Sequence, residues 1–461
     1  MAAFERIRGD IFMKFQPIFF GPAAVLAAAL VANGMAWAAD ADTILGQTVP
    51  AWLSLHGQFT NVTQAYPSFT ASFDGPNSLR GRGQTKETVD ATLYLGVKLP
   101  GGLEFFVNPE IDQGFGLSNT LGAGGYPSGE AYKVGKSNPY FRLQRAFFRY
   151  TLDLGGETTT VESAANQFAS TGHADNVTVT IGKFSATDIF DTNTYAHDPR
   201  GDFLNWSIVD SGAYDYAADA WGYTYGIAME WNQAWWTWRA GVFDLSTIPN
   251  TTSLETGFQQ FELVTEAEER HQLFGQPGKV KVLVFANRGR MANYVDALNL
   301  ARQTGNTPDV SLVRRYQTRP GAAVNIEQGL NANLGAFIRL STNDGRKEAF
   351  EFTEINRSIA AGIALKGTSW HRGGDTFGLA AVVNDISPQA RSYFAAGGMG
   401  ILIGDGQLPR YQAEKIIETY YKASVIEGID LSLDFQHIAD PAYDAVRGPV
   451  NIFGLRLHAA F

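Results

Sequence analysis

A transmembrane antiparallel β-barrel of 16 strands, with long extracellular loops folding into the lumen, is the fold class that this sequence predicts. Three observations carry the prediction: an N-terminal export signal, sixteen segments in which apolar and polar residues alternate, and connections that are long and short in turn. A strand tilted by about 45° crosses a bilayer in about 9–11 residues, which is the scale of these segments.

The export signal occupies residues 1–38. Lys14 leads into an apolar stretch from Ile18 to Ala32, and Ala36-Trp37-Ala38 offers small residues at the two positions a signal peptidase reads. Cleavage is expected after Ala38, leaving 39–461 as one barrel domain, because the apolar run is shorter than the roughly 18 residues a membrane anchor wants. Met13 is an alternative start. Cleavage removes Arg6, Arg8 and Lys14 with Glu5 and Asp10, so the remainder is slightly more negative than the −10 of the whole chain. With 36 Lys and Arg against 46 Asp and Glu and no basic run, the chain lacks the footprint of a nucleic-acid partner. Cysteine is absent, which excludes a disulfide framework, a thiolate metal site and a cysteine nucleophile.

Aromatic residues make up 13% of the chain and glycines number 49, a profile of strands and tight turns. Alternating segments lie near 51–63, 87–99, 102–111, 140–154, 175–185, 221–231, 235–245, 257–267, 279–288, 321–330, 332–342, 355–366, 374–385, 412–423, 428–438 and 450–461. In 87–99, Val89, Ala91, Leu93, Leu95 and Val97 oppose Thr88, Asp90, Thr92 and Tyr94; in 428–438, Ile429, Leu431, Leu433 and Phe435 oppose Asp430, Ser432, Asp434 and Gln436. A water-soluble sandwich alternates too, so connection lengths separate the two folds. The odd connections, such as 64–86, 112–139, 186–220 and 386–411, are long, whereas the even ones are mostly tight, as at Pro100-Gly101 and Asn232-Gln233-Ala234. Outer-membrane barrels have that asymmetry. The connection 155–174 breaks the pattern.

The last segment fixes the polarity of the wall. Phe461, Ala459, Leu457, Leu455 and Phe453 share one face and His458, Arg456 and Gly454 the other. A cation facing lipid near the midplane costs about 2–4 kcal/mol, so Arg456 is expected in the lumen and Phe461 toward lipid. A terminal aromatic on such a strand is expected to be read by the outer-membrane assembly machinery. Trp231, Trp235 and Trp236 flank a tight turn while Trp221, Tyr223 and Tyr225 lie toward the opposite rim, as in an aromatic girdle.

Sixteen strands enclose an aqueous channel, so the expected activity is permeation. Inward-facing candidates include Asp90, Glu104, Glu230, Arg239, Glu327, Arg339, Glu418, Asp434 and Arg456. On strand 140–154, if Phe148, Tyr150 and Leu152 face lipid, parity sends Arg145 and Arg149 inward, with Phe147, but leaves Arg142 out, so parity alone leaves the face of this strand ambiguous. The longest connection, 186–220, is rich in groups able to narrow the pore: Asp188, Asp191, Asn193, Tyr195, His197, Asp198, Arg200, Asp202, Asn205 and Trp206. Planar carboxylate, amide and guanidinium groups bind sugar hydroxyl pairs, and aromatic rings stack on sugar C–H faces. A self-capped loop without ligand role fits the same composition.

The strings "GKFSATDIFDTNTYAHDPRGDFLNW", "YDYAADAWGYTYG", "GYPSGEAYKVG", "GGMGILIGDG", "YQAEKIIETYY" and "DPAYDAVRGPVNIFGLRLHAAF" resemble the carbohydrate-selective porins of the OprB type across essentially the whole exported chain. The resemblance implies a Gram-negative outer-membrane barrel that passes glucose-like monosaccharides by facilitated diffusion through an eyelet of inward loops carrying arginines and acidic residues. Carried onto this sequence, it points to Asp198, Arg200, Asn205 and Trp206, with Glu110, Glu130, Arg142, Arg145 and Arg149 nearby. His197 departs from the family's usual Asn, as does Asp444, and the family's Pro is missing from Trp370–Asp375. His197 is therefore expected to alter conductance as pH falls toward 5.5, given an ordinary histidine pKa of about 6.5.

The substrate-binding candidates are thus His197, Asp198, Arg200, Asp202, Asn205, Trp206, Glu110, Arg145, Arg149, Glu230, Arg239 and Arg456. No cofactor or metal is expected: Asp191-Thr192-Asn193 lacks the remainder of a calcium loop, seven histidines show no zinc spacing, and the glycines of "GFGLSNTLGAGG" do not match a dinucleotide fingerprint. Expected partners are small sugars, outer-membrane lipid and lipopolysaccharide, and the assembly machinery through Phe461, with no nucleic acid; both a monomer and a homotrimer stay open. The alternatives are a less selective porin for small organic acids or other solutes, and a barrel enzyme or adhesin, for which no catalytic constellation is evident.

Overall fold

The computed structural model describes residues 43–44 and 47–461 except 274 and 353, so the expected export signal lies outside the described residues. Sixteen strands form a closed barrel: β1 (Leu53–Tyr66), β2 (Gln84–Lys98), β3 (Leu103–Gly114), β4 (Tyr140–Val161), β5 (Ser170–Phe184), β6 (Thr224–Asn232), β7 (Trp236–Asp244), β8 (Phe261–Leu273), β9 (Gln276–Met291), β10 (Arg315–Gly329), β11 (Leu334–Asn343), β12 (Arg357–Lys366), β13 (Thr376–Asp385), β14 (Glu414–Ile426), β15 (Ile429–Ala439) and β16 (Val450–Ala460). Each pairs antiparallel with its chain neighbours. β16 returns to β1, with Phe453 opposite Ala65 and Ala460 opposite Gln58, so no edge is left to be satisfied in lipid.

The two faces of the wall follow the period of two. On β2, Asp90, Thr92 and Tyr94 are buried toward the lumen and Leu93 is exposed; on β15, Ser432, Asp434 and Gln436 are buried while Leu433 is 63% exposed. Arg456 points inward and is 1% exposed, whereas Phe453 lies on the outer face. Gly57 and Phe461 exchange backbone hydrogen bonds of 3.1 Å, and a Cβ on Gly57 would sit 2.4 Å from the Phe461 ring. The ring therefore occupies the outward space where any other residue of β1 would place its side chain.

Strand β4 resolves the parity conflict of the arginines. Asn108 pairs with Arg145 but Pro109 pairs with Leu143, so Gln144 is an extra residue in a β-bulge. Before it, Phe141 and Leu143 face lipid; after it, Phe148 and Tyr150 do. Arg142, Arg145 and Arg149 all reach the lumen, and Phe147 joins a buried aromatic cluster there. The expectation that Arg142 faces outward is corrected by this single inserted residue. The girdle assignment of Trp221 and Tyr223 is corrected too: both precede β6, are buried, and pack inside against Tyr132 and Tyr140.

Long loops leave one rim at 67–83, 115–139, 185–223, 245–260, 292–314, 344–356, 386–413 and 440–449, and short turns join the strands at the other. The third loop, 185–223, folds down into the barrel, where wall side chains satisfy its backbone. Glu266 accepts from Asp191 N at 2.8 Å, Glu327 from Thr194 N at 2.7 Å, Glu418 from Leu204 N and Asn205 N at 2.5 and 3.0 Å, and Glu262 from Ala217 N at 3.0 Å. Arg339 donates to Ala196 O and Ile208 O, both at 2.6 Å, and Arg456 to Pro199 O and Asp202 O. Hydrogen bonds to charged groups contribute about 1.5–3 kcal/mol each, and a buried amide left without one costs about 1–3 kcal/mol. The β8–β16 side of the lumen is consequently occupied by loop, and a cavity remains along β2–β6.

Candidate functional site: the pore constriction

The candidate site begins with a turn of the inward loop. Asp198-Pro199-Arg200-Gly201 has Asp at its first position and Pro at its second, the composition of a type I turn. Gly201 N donates to Asp198 O at 3.0 Å, and Arg200 N donates to Asp198 Oδ1 at 2.9 Å. Arg456 grips the carbonyls on either side, at Pro199 and Asp202. So held, Arg200 extends to the wall at β2 and β3.

There its guanidinium meets three carboxylates and a phenol. Nη2 lies 2.8 Å from Asp90 and 3.4 Å from Glu110, Nε lies 3.2 Å from Glu130, and Nη1 donates to the Tyr94 hydroxyl at 3.1 Å. Glu110 also accepts from Thr92 Oγ1 at 2.5 Å and from Gln144 Nε2 at 3.0 Å, and Gln58 Nε2 donates to Thr92 Oγ1 at 2.8 Å. One cation thus ties two strands and two inward loops together, amid a surplus of acid.

A second row of cations stands on β4. The Arg142 guanidinium stacks 3.6 Å from the Trp221 ring and pairs with Asp219 at 2.9 Å. Arg145 stacks 4.8 Å from Tyr223 and binds Asp188 through two bonds of 2.7 and 2.6 Å. Burial opposes charge on Asp188, yet the paired guanidinium of Arg145 holds its carboxyl below the usual range. Arg149 donates to Asn166 O at 2.7 Å.

Tyr94, Glu130, Arg145, Arg149, Asp188 and Arg200 border a cavity of about 610 Å³. Of the sequence-expected residues, His197, Asp198, Arg200, Trp206, Arg145, Arg149 and Glu230 border it. Glu110 lies just behind Arg200. The others serve the scaffold: Asn205 caps the helix Trp206–Val209 and bonds to Gln436, Asp202 accepts from His197 N and Asp198 N, and Arg239 is enclosed by Glu230, Glu266 and Glu268. Arg456, 1% exposed, holds the loop from outside the cavity. Sequence reasoning missed Tyr132, Tyr216 and Asn166 as lining residues; the long 155–174 connection was the available signal for the last.

His197 Nδ1 lies 3.6 Å from Asp210 Oδ1. Burial works against the imidazolium, as does Arg339, but Asp210 and Asp191 outweigh them and raise its pKa above 6.5. Its titration is therefore expected on the alkaline side of the range that the sequence implied.

Residues 76–461 match the family described as "Carbohydrate-selective porin, OprB family". The chain belongs to this family. Among solved structures it is similar to OprB of Pseudomonas putida, at 14% identity and a TM-score of 0.67, over 89% of this chain and 94% of that one. It is also similar to the outer-membrane channel DcaP of Acinetobacter baumannii, at 10% identity and a TM-score of 0.50, over 90% and 99%. None of the curated proteins compared matches the chain significantly. Membership of the OprB family and the closed sixteen-stranded barrel make this a carbohydrate porin of a Gram-negative outer membrane.

Proposed function

We propose that the chain passes single, neutral, glucose-like sugars by facilitated diffusion through the 610 Å³ cavity, with Arg200 and its acidic partners as the narrowest recognition point. The observation that carries this reading is the pairing of planar charged groups with aromatic rings around one space. Arg145, Arg149, Arg200 and Glu130 offer donors and acceptors to hydroxyl pairs, and the rings of Trp221 and Tyr223, each carrying an arginine of β4 on one face, border the same space and leave the other face to sugar C–H groups.

Binding must stay weak for throughput. Each charge-assisted bond to a hydroxyl is worth about 1.5–3 kcal/mol against the water it replaces, and a millimolar Kd needs only about 4 kcal/mol in total. Two such bonds and one stacked ring suffice. The arginine row on β4 is what would favour small organic acids instead, but Arg142 and Arg145 are already paired with Asp219 and Asp188. Three carboxylates around Arg200 then oppose an entering anion.

Liposome swelling with an isosmotic solute series tests the reading. Monosaccharides are expected to enter faster than disaccharides and faster than organic acids of similar size. Equal rates for disaccharides, or faster entry of the acids, would reject it.

A further inference from the structure

The 155–174 connection, unexplained by sequence, supplies a second lip to the pore. Strands β4 and β5 continue past the wall with register shifts at Asp153/Gly155 and Gly155/Thr158, and residues 162–169 then turn back into the periplasmic mouth. Ala164 and Gln167 close the turn with mutual backbone bonds of 3.1 and 3.0 Å. Ser163 Oγ bonds to His56 Nε2 at 3.0 Å, Phe168 is buried with its ring 5.5 Å from that of Phe106, and the side chains of Asn166 and Asn108 exchange bonds of 2.8 and 3.0 Å. Asn166 has φ 58°, a conformation that Asn tolerates better than most residues.

Asn108 and Glu110 both face the lumen from β3, two residues or about 7 Å apart. Arg200 comes down onto Glu110 and Asn166 comes up onto Asn108. Ala165, Asn166 and Gln167 border the same cavity as His197 and Arg200. The amide pair engages one N–H and one oxygen lone pair of each side chain, and a primary amide has two of each. Asn108 is wholly buried; Asn166 borders the cavity with a donor and an acceptor remaining.

We infer that residues 163–168 form a periplasmic lip of the constriction and that Asn166 is a specificity-determining residue, binding the hydroxyls of a neutral sugar on its way out. An uncharged donor and acceptor suit a polyol better than an ion, and two lips about 7 Å apart along one strand match a single sugar ring. This inference rests on the sugar passage proposed above.

The test uses the full-length protein in planar bilayers. Because the chain contains no cysteine, Ala165→Cys creates one reactive site, at an exposed residue bordering the cavity. Complete modification with a methanethiosulfonate sulfonate reagent is expected to at least halve the single-channel conductance, and glucose is expected to slow the reaction several-fold. Thr159→Cys, on the exposed part of the projecting hairpin, is expected to leave conductance unchanged when modified. Asn166→Ala is expected to weaken glucose block several-fold while preserving ion selectivity. Unchanged conductance after full modification at 165, equal losses at 159 and 165, or wild-type block in Asn166→Ala would overturn the inference. If sugar fails to block even the unmodified protein, the proposed function fails, and modification at 165 still reports whether the lip lines the pore.

Discussion

Removing Arg200 should change sugar affinity and ion selectivity together. Its side chain is 12% exposed and holds Asp90, Glu110 and Glu130 at 2.8, 3.4 and 3.2 Å. Arg200→Ala leaves three carboxylates without the cation they share. Removing one partner from a buried charge cluster typically costs about 3–5 kcal/mol, and water and potassium ions entering the open lumen will offset part of that. A passing sugar loses one charged hydrogen-bond partner, worth about 1–3 kcal/mol, so its dissociation constant should rise by about 5–150-fold. The assay is current-noise analysis of glucose block at mildly alkaline pH, with reversal potentials in a KCl gradient on the same channels. Potassium permeability relative to chloride should rise several-fold. Arg200→Lys keeps the charge and so the selectivity, but cannot reproduce the fork, and should recover only part of the block. Wild-type block and wild-type reversal potential in Arg200→Ala would refute the placement of this residue at the narrowest point.

Three further outcomes are expected. Glu418→Gln turns an amide donor toward one of two backbone donors, Leu204 N or Asn205 N, at a cost of about 1–3 kcal/mol; open-channel noise should increase and trypsin should cut after Arg200 faster, whereas unchanged cleavage would show that the loop does not depend on this anchor. Deleting Gln144 removes the β4 bulge and leaves Arg145 directly after Leu143, so every flanking residue keeps its face and its partner on β3; folded yield should stay close to wild type, whereas a collapse in yield, as expected if an arginine were turned to lipid at about 2–4 kcal/mol, would contradict the register. The raised pKa of His197 means that its positive charge, and the stability it lends the loop, is complete below about pH 6.5 and is lost as pH rises through the folded value. Potassium selectivity should therefore increase as pH rises above about 6.5 in the wild type and stay flat in His197→Asn; a parallel increase in both would assign the effect to another group.

The wall was legible in the sequence because lipid enforces alternation on every residue it touches. Where lipid stops, so does the signal: β4 runs on to Val161 and β8 to Leu273, beyond the alternating segments. The bulge at Gln144 was hidden because a strict period of two has no place for an extra residue. Parity also says which residues point inward without saying what they meet. Glu327, Glu418 and Arg456 do face the lumen, but they meet loop backbone, while Arg200 and Trp206 meet the cavity. That distinction depends on how a 39-residue connection folds against sixteen strands, which no local pattern encodes. The re-entrant turn at 162–169 was visible only as a connection too long for its rim.

The central claim is that the barrel conducts through a constriction that a sugar can occupy. Single channels in a planar bilayer test it most directly, by titrating glucose against stepwise KCl conductance. The account predicts discrete steps whose current falls saturably as glucose is added, with half-block in the millimolar range; steps of undiminished size at saturating glucose, or no steps at all, would contradict it.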